Sequence, residues 1–263
     1  MNRPAVLVIA GSDSSGGAGL SRDVRTLTEL GADALCVVTA VTAQSQRRVA
    51  SVHQVPPAIL RAQVDAVFET RPPGAIKIGM LGSRATVEAV ADGLEAAAGG
   101  LEARGSTPMI LDPVLAASSG GILLDAAGRV ALCERLLPRA ALITPNVLEA
   151  AALLGEEPAV QEAELRAQAI RLLDLGAEAV LLKGGHGSGE EAVDWLVSRD
   201  RPPERIASPR IRVELRGTGC ALASAIAAQL AYGAPLSTAC RRAQEYVVAQ
   251  LRAAASDPTP GGR

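Results

Sequence analysis

Lysine is almost missing from this chain. Its 263 residues hold two lysines, Lys77 and Lys183, against 24 arginines. Arginine therefore carries the general surface charge, and a lysine marks a place where a compact point charge on a flexible stem is wanted. Histidine is as scarce, at His53 and His186, and two such distant residues exclude a zincin motif. The four cysteines, at 36, 133, 220 and 240, include no C-x-x-C pair, which excludes the usual zinc and redox spacings. Three of them lie in apolar stretches, so buried, reduced thiols and a reducing compartment are expected. No apolar run reaches the roughly 18 residues of a membrane span. Val6 to Ala10 is too short for a secretory core and runs straight into Gly11, so the expected setting is cytoplasmic. A net charge of -2 lacks the basic footprint of a nucleic-acid binder. Arg47-Arg48 and Arg241-Arg242 are the densest basic pairs and read as solvated surface.

What is present is a globular pattern. Apolar residues make up 48% and charged residues 21% of the chain, which excludes disorder as a whole. A chain of this size buries roughly three quarters of its unfolded surface. Strand and helix alternate. Strands are expected at Ala5 to Ala10, Ala34 to Val41, Val49 to Val55 (an edge strand), Ala75 to Gly79, Met109 to Leu111, Ala140 to Ile143 and Glu178 to Leu182. Helices are expected at Leu20 to Leu30, from Pro56-Pro57 to Phe68, from a Ser83 cap to Ala97, and at Asp125 to Leu136, Asn146 to Leu154 and Ala163 to Leu175. Two antiparallel strands, Ala192 to Val197 and Arg205 to Val213, are expected to be broken by Pro202-Pro203. Helices Gly219 to Tyr232 and Pro235 to Ala254 follow, and the Pro/Gly-rich tail 256–263 reads as disordered. No composition shift marks a second domain, so residues 1–255 read as one α/β domain, a parallel sheet with helices on both faces. Ligands in such folds bind beyond the carboxyl ends of the strands.

The chemistry-bearing residues follow strands. Gly11 to Gly19 holds four glycines in nine residues, more than a tight turn needs, and lets backbone N–H groups approach a ligand. It is neither a Walker loop nor G-x-G-x-x-G. Lys183-Gly184-Gly185-His186-Gly187 places a lysine in a Gly-rich loop suited to an anion; a surface loop is the plainer alternative. Arg216-Gly217-Thr218-Gly219-Cys220 opens an almost wholly apolar helix whose free N–H groups form an anion site. The helix dipole there is expected to lower the Cys220 thiol pKa. Asp112, Asn146 and Glu149 suit a hydrated magnesium, although Asn146 and Glu149 equally suit a plain capping pair. No G-x-S-x-G points to a serine hydrolase. Together these loops point to phosphate chemistry.

In order, AGSDSSGGAGLSRDVRTLTELGA, VTAVTAQ, KIGMLGS, LDPV, LITPNVLEA, KGGH and GTGCALASAIAA resemble the ribokinase-like superfamily, most closely the hydroxymethylpyrimidine/phosphomethylpyrimidine kinases, from about residue 5 to 250. The resemblance implies a ribokinase-like fold with a central, mostly parallel sheet. It implies ATP-dependent phosphorylation of 4-amino-5-hydroxymethyl-2-methylpyrimidine, then of its monophosphate, in thiamine biosynthesis. By the same resemblance Gln44 meets the pyrimidine edge. Gly11, Ala18, Asp23, Met80 and Val114 shape the pocket, with Asp23 able to accept from an amino group. Gly217, Thr218, Gly219 and Cys220 form the transfer centre, Cys220 standing where many relatives place an Asp base. Lys183, Asn146 and Gly219 serve the nucleotide, and Asp112, Asn146 and Glu149 organise Mg2+. The implied partners are a small pyrimidine and ATP, with a homodimer as assembly. The sequence departs from the family at Arg216 (usually His), Leu115 (usually Met), Ser14 (often Pro), the loop near Ser118 (often Lys) and Gln46-Arg47-Arg48. A pyridoxal/pyridoxine kinase and a catalytically weak pyrimidine-binding protein are the alternative readings.

Overall fold

A computed structural model describes residues 3–45, 47–98, 107–117, 120–185 and 189–256. His186, Gly187, Ser118, Gln46 and the tail beyond Ser256 lie outside the described residues.

The strands are β1 (Ala5–Ala10), β2 (Asp33–Val38), β3 (Ala40–Gln44), β4 (Val49–Gln54), β5 (Ala75–Ile78), β6 (Met109–Leu111), β7 (Leu142–Ile143), β8 (Ala179–Lys183), β9 (Glu191–Ser198) and β10 (Arg201–Pro209). The helices are α1 (Gly19–Glu29), α2 (Pro57–Thr70), α3 (Arg84–Ala98), α4 (Ala126–Ala131), α5 (Val147–Leu154), α6 (Glu162–Leu172), α7 (Thr218–Ala231) and α8 (Leu236–Ser256). Eight strands form one sheet in the order β10-β9-β8-β7-β6-β5-β1-β2. The run from β2 through β8 is parallel, and β9 is antiparallel to both its neighbours.

β1 shows why the sheet sits in the middle. All six of its residues are buried, as a strand covered on both faces requires. Leu7 and Ile9 pack into the layer of α2, α3 and α6, with Leu60, Val90 and Leu172. Val6 and Val8 point the other way, into the layer of α1, α7 and α8, with Leu27, Ile226 and Ala239. The period of two in a strand thus feeds two cores. α7 is alanine-rich and buried from Ala221 to Ala228, and small side chains let it lie close against the sheet.

Several expected elements are redrawn. The single strand Ala34 to Val41 is two strands. After Val38 the chain leaves the sheet, and Thr39 N–H bonds back to Ala10 O at 3.0 Å. β3 and β4 then pair as a separate antiparallel hairpin, so Val49 to Val55 is not an edge of the main sheet. The helix expected at Asp125 to Leu136 keeps Asp125 as its N-cap (Gly128 N–H to Oδ1, 2.6 Å), but α4 gives way to a π turn at Leu132–Leu136. The strand expected at Arg205 to Val213 runs earlier. β10 includes Pro202 and Pro203, because it is the outermost strand and a register shift between Arg201 and Glu204 absorbs them. Of the four cysteines Cys240 is buried, Cys133 and Cys220 are half-buried and Cys36 is exposed, against the expectation of three buried thiols. Among the described residues no helix is long and apolar enough to cross a membrane.

Candidate active site

Several loops come together near the carboxyl ends of the parallel strands. The loop after β1 (Gly11 to Ala18) and the start of α7 pack backbone to backbone. Gly217 sits at φ +73° as the N-cap of α7, and a Cβ there would collide with the Gly17 carbonyl oxygen and lie 3.1 Å from Ala18 Cα. Glycine is the residue that accepts both the left-handed backbone and the close approach. The first N–H groups of α7 have no partner within the helix, as an anion site needs.

Charges gather in front of this helix end. Lys183, at the end of β8, places Nζ 3.0 Å from Asp112 Oδ1, and Thr144 donates to the same oxygen at 2.9 Å. A Cβ added to Gly219 would lie 3.2 Å from Lys183 Nζ and 3.8 Å from Asp112 Oδ2. Lys183, Asp112 and the Gly217-Thr218-Gly219-Cys220 run, placed far apart in sequence, are thus neighbours. Burial by itself would raise the Asp112 pKa, but Lys183 and Lys77 reverse this and hold it below the ordinary range.

Asn146 and Glu149 form the capping pair. Asn146 Oδ1 accepts from Glu149 N–H at 2.9 Å, and Glu149 Oε2 accepts from Asn146 N–H at 2.8 Å. Glu149 is buried, and burial, with Asp112 adding to it, pushes its carboxyl up to about 7. Among the described residues no three His, Cys, Asp or Glu side chains converge as a direct metal cage. Asp112 and Glu149, the second with an acidity already disturbed by the first, instead fit a cation that keeps most of its water.

Cys220 overturns one expectation. Its thiol is not acidified; burial pushes it up to about 11, with Lys77 the strongest opposing charge, Asp23 and Asp112 working against ionisation, and the Gly19 N–H favouring it. Desolvation outweighs the helix end at this position.

On the other side lies an apolar floor. Met80, Ala40 and Leu123 are buried together with Val114 against them, and Met80 Sδ would stand 2.8 Å from a Cβ on Gly11. Gln44, at the end of β3, is tied to the Gly-rich loop through Ser14, whose Oγ donates to Gln44 O (2.7 Å) and accepts from Gln44 N–H (2.8 Å). A cavity of about 330 Å³ lies between Ser14 and the β3–β4 hairpin, lined by Ser14, Ala43, Gln44, Ser45, Arg48 and Ala50. Asp23 has a different partner from the one expected. Both its oxygens are 2.9 Å from Lys77 Nζ, Ser224 Oγ donates to Oδ1 at 2.8 Å, and the carboxylate is fully buried. Its capacity to accept from a ligand amino group is mostly taken up inside the protein.

The phosphomethylpyrimidine kinase family model matches residues 13–260. The chain belongs to the phosphomethylpyrimidine kinase family. It is 44% identical over 251 residues to the hydroxymethylpyrimidine/phosphomethylpyrimidine kinase of Rhizobium meliloti, covering 94% of this chain and 90% of that one. The phosphomethylpyrimidine kinase structure from Clostridium difficile aligns with a TM-score of 0.81 at 33% identity, over 95% of this chain and all of the other. The Staphylococcus aureus pyridoxal kinase in complex with AMP-PCP and pyridoxal aligns with a TM-score of 0.83 at 27% identity, over 94% of this chain and 87% of that one. The ribokinase-like fold and the kinase class follow from these likenesses.

Two features of this phosphomethylpyrimidine kinase relative escaped the sequence reading. Lys77 is one of two lysines, yet nothing in its place on a buried strand points to its partner Asp23 on α1, to which Ser224 of α7 also donates. Arg216 was visible as a departure from the family's usual His. Its contacts, to Ser15, Ser45 and Asp13, are not local and left no trace in spacing.

Proposed function

We propose that this protein transfers a phosphoryl group from ATP to the hydroxymethyl oxygen of 4-amino-5-hydroxymethyl-2-methylpyrimidine, and then a second to the resulting monophosphate, giving the diphosphate of thiamine biosynthesis. The observation that carries the reading is the convergence of Lys183, Asp112 and the Gly217–Cys220 loop beside an apolar floor of Met80 and Val114.

In the first step the substrate hydroxyl oxygen bonds to the γ-phosphorus while the bond to the β-phosphate bridging oxygen breaks and ADP leaves. The hydroxyl proton passes to Cys220 in the small fraction of molecules whose thiol is ionised. Phosphoryl transfer of this kind depends mainly on positioning and charge. The N–H groups from Gly217 to Cys220 face the charge that develops on the transferred group, and Lys183 meets the nucleotide phosphates. Gly219 sits against Lys183 and so serves both nucleotide and transfer centre. Asp112 and Glu149 would hold hydrated magnesium, with Asn146 orienting Glu149 through the capping pair. When bound, that ion neutralises phosphate charge. In the second step the monophosphate oxygen is the nucleophile in the same geometry.

The pyrimidine side is supported by Gln44 in the lining of the cavity, by Gly11 against Met80 of the floor and Ala18 against Gly217, and by relatives at 40–44% identity with pyrimidine-kinase names. The four free cysteines support a reducing, cytoplasmic setting. The likeness to a pyridoxal kinase keeps vitamin B6 as the competing substrate. The test is a magnesium–ATP assay on hydroxymethylpyrimidine, its monophosphate and pyridoxal in parallel. Conversion of both pyrimidines is the expected result. Turnover of pyridoxal with neither pyrimidine would overturn the assignment. Stabilisation by pyrimidine with none by nucleotide would favour a plain binding protein.

A further inference from the structure

Arg216 stands one residue before the anion loop, and its guanidinium reaches three residues in two parts of the chain far from it in sequence. Nη1 donates to Ser15 Oγ at 3.0 Å and to Ser45 O at 3.1 Å, across sequence separations of 201 and 171 residues. Nη2 lies 3.5 Å from Asp13 Oδ2. The Asp13 side chain is 3% exposed and that of Arg216 21%, so the pair is far better shielded than an ordinary surface ion pair.

The partners are themselves arranged. Asp13 Oδ1 accepts from Ser15 N–H (2.9 Å) and from Ser15 Oγ (2.7 Å), which fixes the serine that Arg216 meets. Next to them the Gly-rich loop is laced to β3. Ser12 N–H bonds to Ala40 O at 2.8 Å, Thr42 Oγ1 donates to Ser12 O at 2.8 Å, and Ser14 bonds Gln44 in both directions. β3 and the Gly-rich loop are therefore one unit, and Arg216 joins that unit to the start of α7. Asp13 Oδ2 and Arg216 Nε are buried without a hydrogen-bond partner, so orientation at this junction is held by charge and by the two Nη1 bonds. A lysine has one nitrogen and no planar fork, and cannot span the three partners.

We propose that Arg216 is a positioning residue that holds the pyrimidine-side unit (the Gly-rich loop and the end of β3) in register with the Gly217–Cys220 loop. This rests on the reading that Gln44 meets the pyrimidine and the Gly217–Cys220 loop meets the phosphoryl group. Arg216 is then not a free cation for a substrate phosphate; its charge faces Asp13.

Arg216→Ala and Arg216→Lys test it with two readouts. Arg47 and Arg48 are exposed close to Ser45, so trypsin cleavage there, followed by mass spectrometry, reports how firmly the end of the hairpin is held. Both variants are expected to be cut at these bonds about fivefold faster or more, as local opening becomes easier. Steady-state kinetics are expected to show the pyrimidine KM rising about tenfold, the loss of charge-assisted hydrogen bonds, and the ATP KM holding within about twofold. Ser15→Ala, which removes one partner only, is expected to move both readouts less, in the same direction, and stands in should the Arg216 variants fail to fold. Unchanged cleavage and KM in folded variants would overturn the proposal. So would full rescue by Arg216→Lys, because a bare positive charge would then suffice. Cleavage is measured without substrate, so it decides the positioning role even if the pyrimidine assignment fails.

Discussion

Lys77 and Asp23 form an ion pair sealed inside the protein. Nζ stands 2.9 Å from each carboxylate oxygen, and neither side chain reaches solvent. Lys77 comes from β5, Asp23 from α1, and Ser224, which donates to the pair, from α7 one turn below Cys220. Burial works against the lysine's charge, but Asp23, with Cys220 and Asp112 behind it, more than offsets this and keeps Lys77 ionised.

Removing one partner of such a pair strands the other. Lys77→Met is expected to lower stability by about 3–5 kcal/mol, while Lys77→Met with Asp23→Asn recovers most of it, since a buried pair contributes little beyond a matched neutral filling. Denaturant unfolding of the three proteins measures this. A single variant no less stable than the double would contradict it.

Cys220 is set for a pH-dependent rate. Its thiol lies at about 11 in the free protein, so between about pH 7 and pH 9 the thiolate fraction grows roughly tenfold per unit. The value of kcat/KM is expected to climb over that interval. Cys220→Asp, ionised throughout, should flatten the profile. Cys220→Ala should lower turnover about 10²- to 10⁴-fold, the range of a general base. Near-normal turnover in the alanine variant would remove the thiol from the chemistry while leaving the anion loop in place.

Glu149 connects the proposed magnesium site to stability. Folding raises its pKa from 4.5 to about 7, so the native state holds a proton that the unfolded chain has released. The stabilisation is present in full below about pH 4.5 and is lost as pH rises through about 7, a change of about 3 kcal/mol. Without divalent cations, Glu149→Gln is expected to flatten the fall in melting temperature across that window. Gln retains the capping pair, so the helix start is preserved. Asp194, raised to about 6 by burial, adds a slope of the same sign that persists in the variant. Magnesium should also flatten the wild-type curve by favouring the ionised carboxyl. Parallel curves for wild type and variant would show that the carboxyl does not titrate there.

Much of this protein could be read along the chain. β1 occupies Ala5–Ala10 as expected, because a short, wholly apolar run ending in glycine allows little but a strand buried on both faces. α5 begins after Asn146 and α6 ends toward Gly176, because capping and left-handed glycine are local chemistry. The order of the loops also placed Lys183 and Asp112 at strand ends, where parallel sheets gather their ligands, and Gly217 to Cys220 at the start of a buried helix.

The rest depended on partners distant in sequence. Ala34 to Val41 has the composition of one strand; the bond from Thr39 to Ala10 and the pairing with β4 divide it in two. The pKa of Cys220 reverses because burial is a property of the packed loops, while the helix end is a property of the local chain. Whether Asp23 faces a ligand or Lys77, and whether Arg216 is free or held on Asp13, Ser15 and Ser45, is decided by which side chains the fold brings within hydrogen-bond reach. The sequence by itself determined the strands, the glycine loops and the kind of chemistry. The tertiary structure decided the ionisation and partnering of the charged groups, because electrostatic energies depend on distance and burial, which neighbours in space set and spacing along the chain does not.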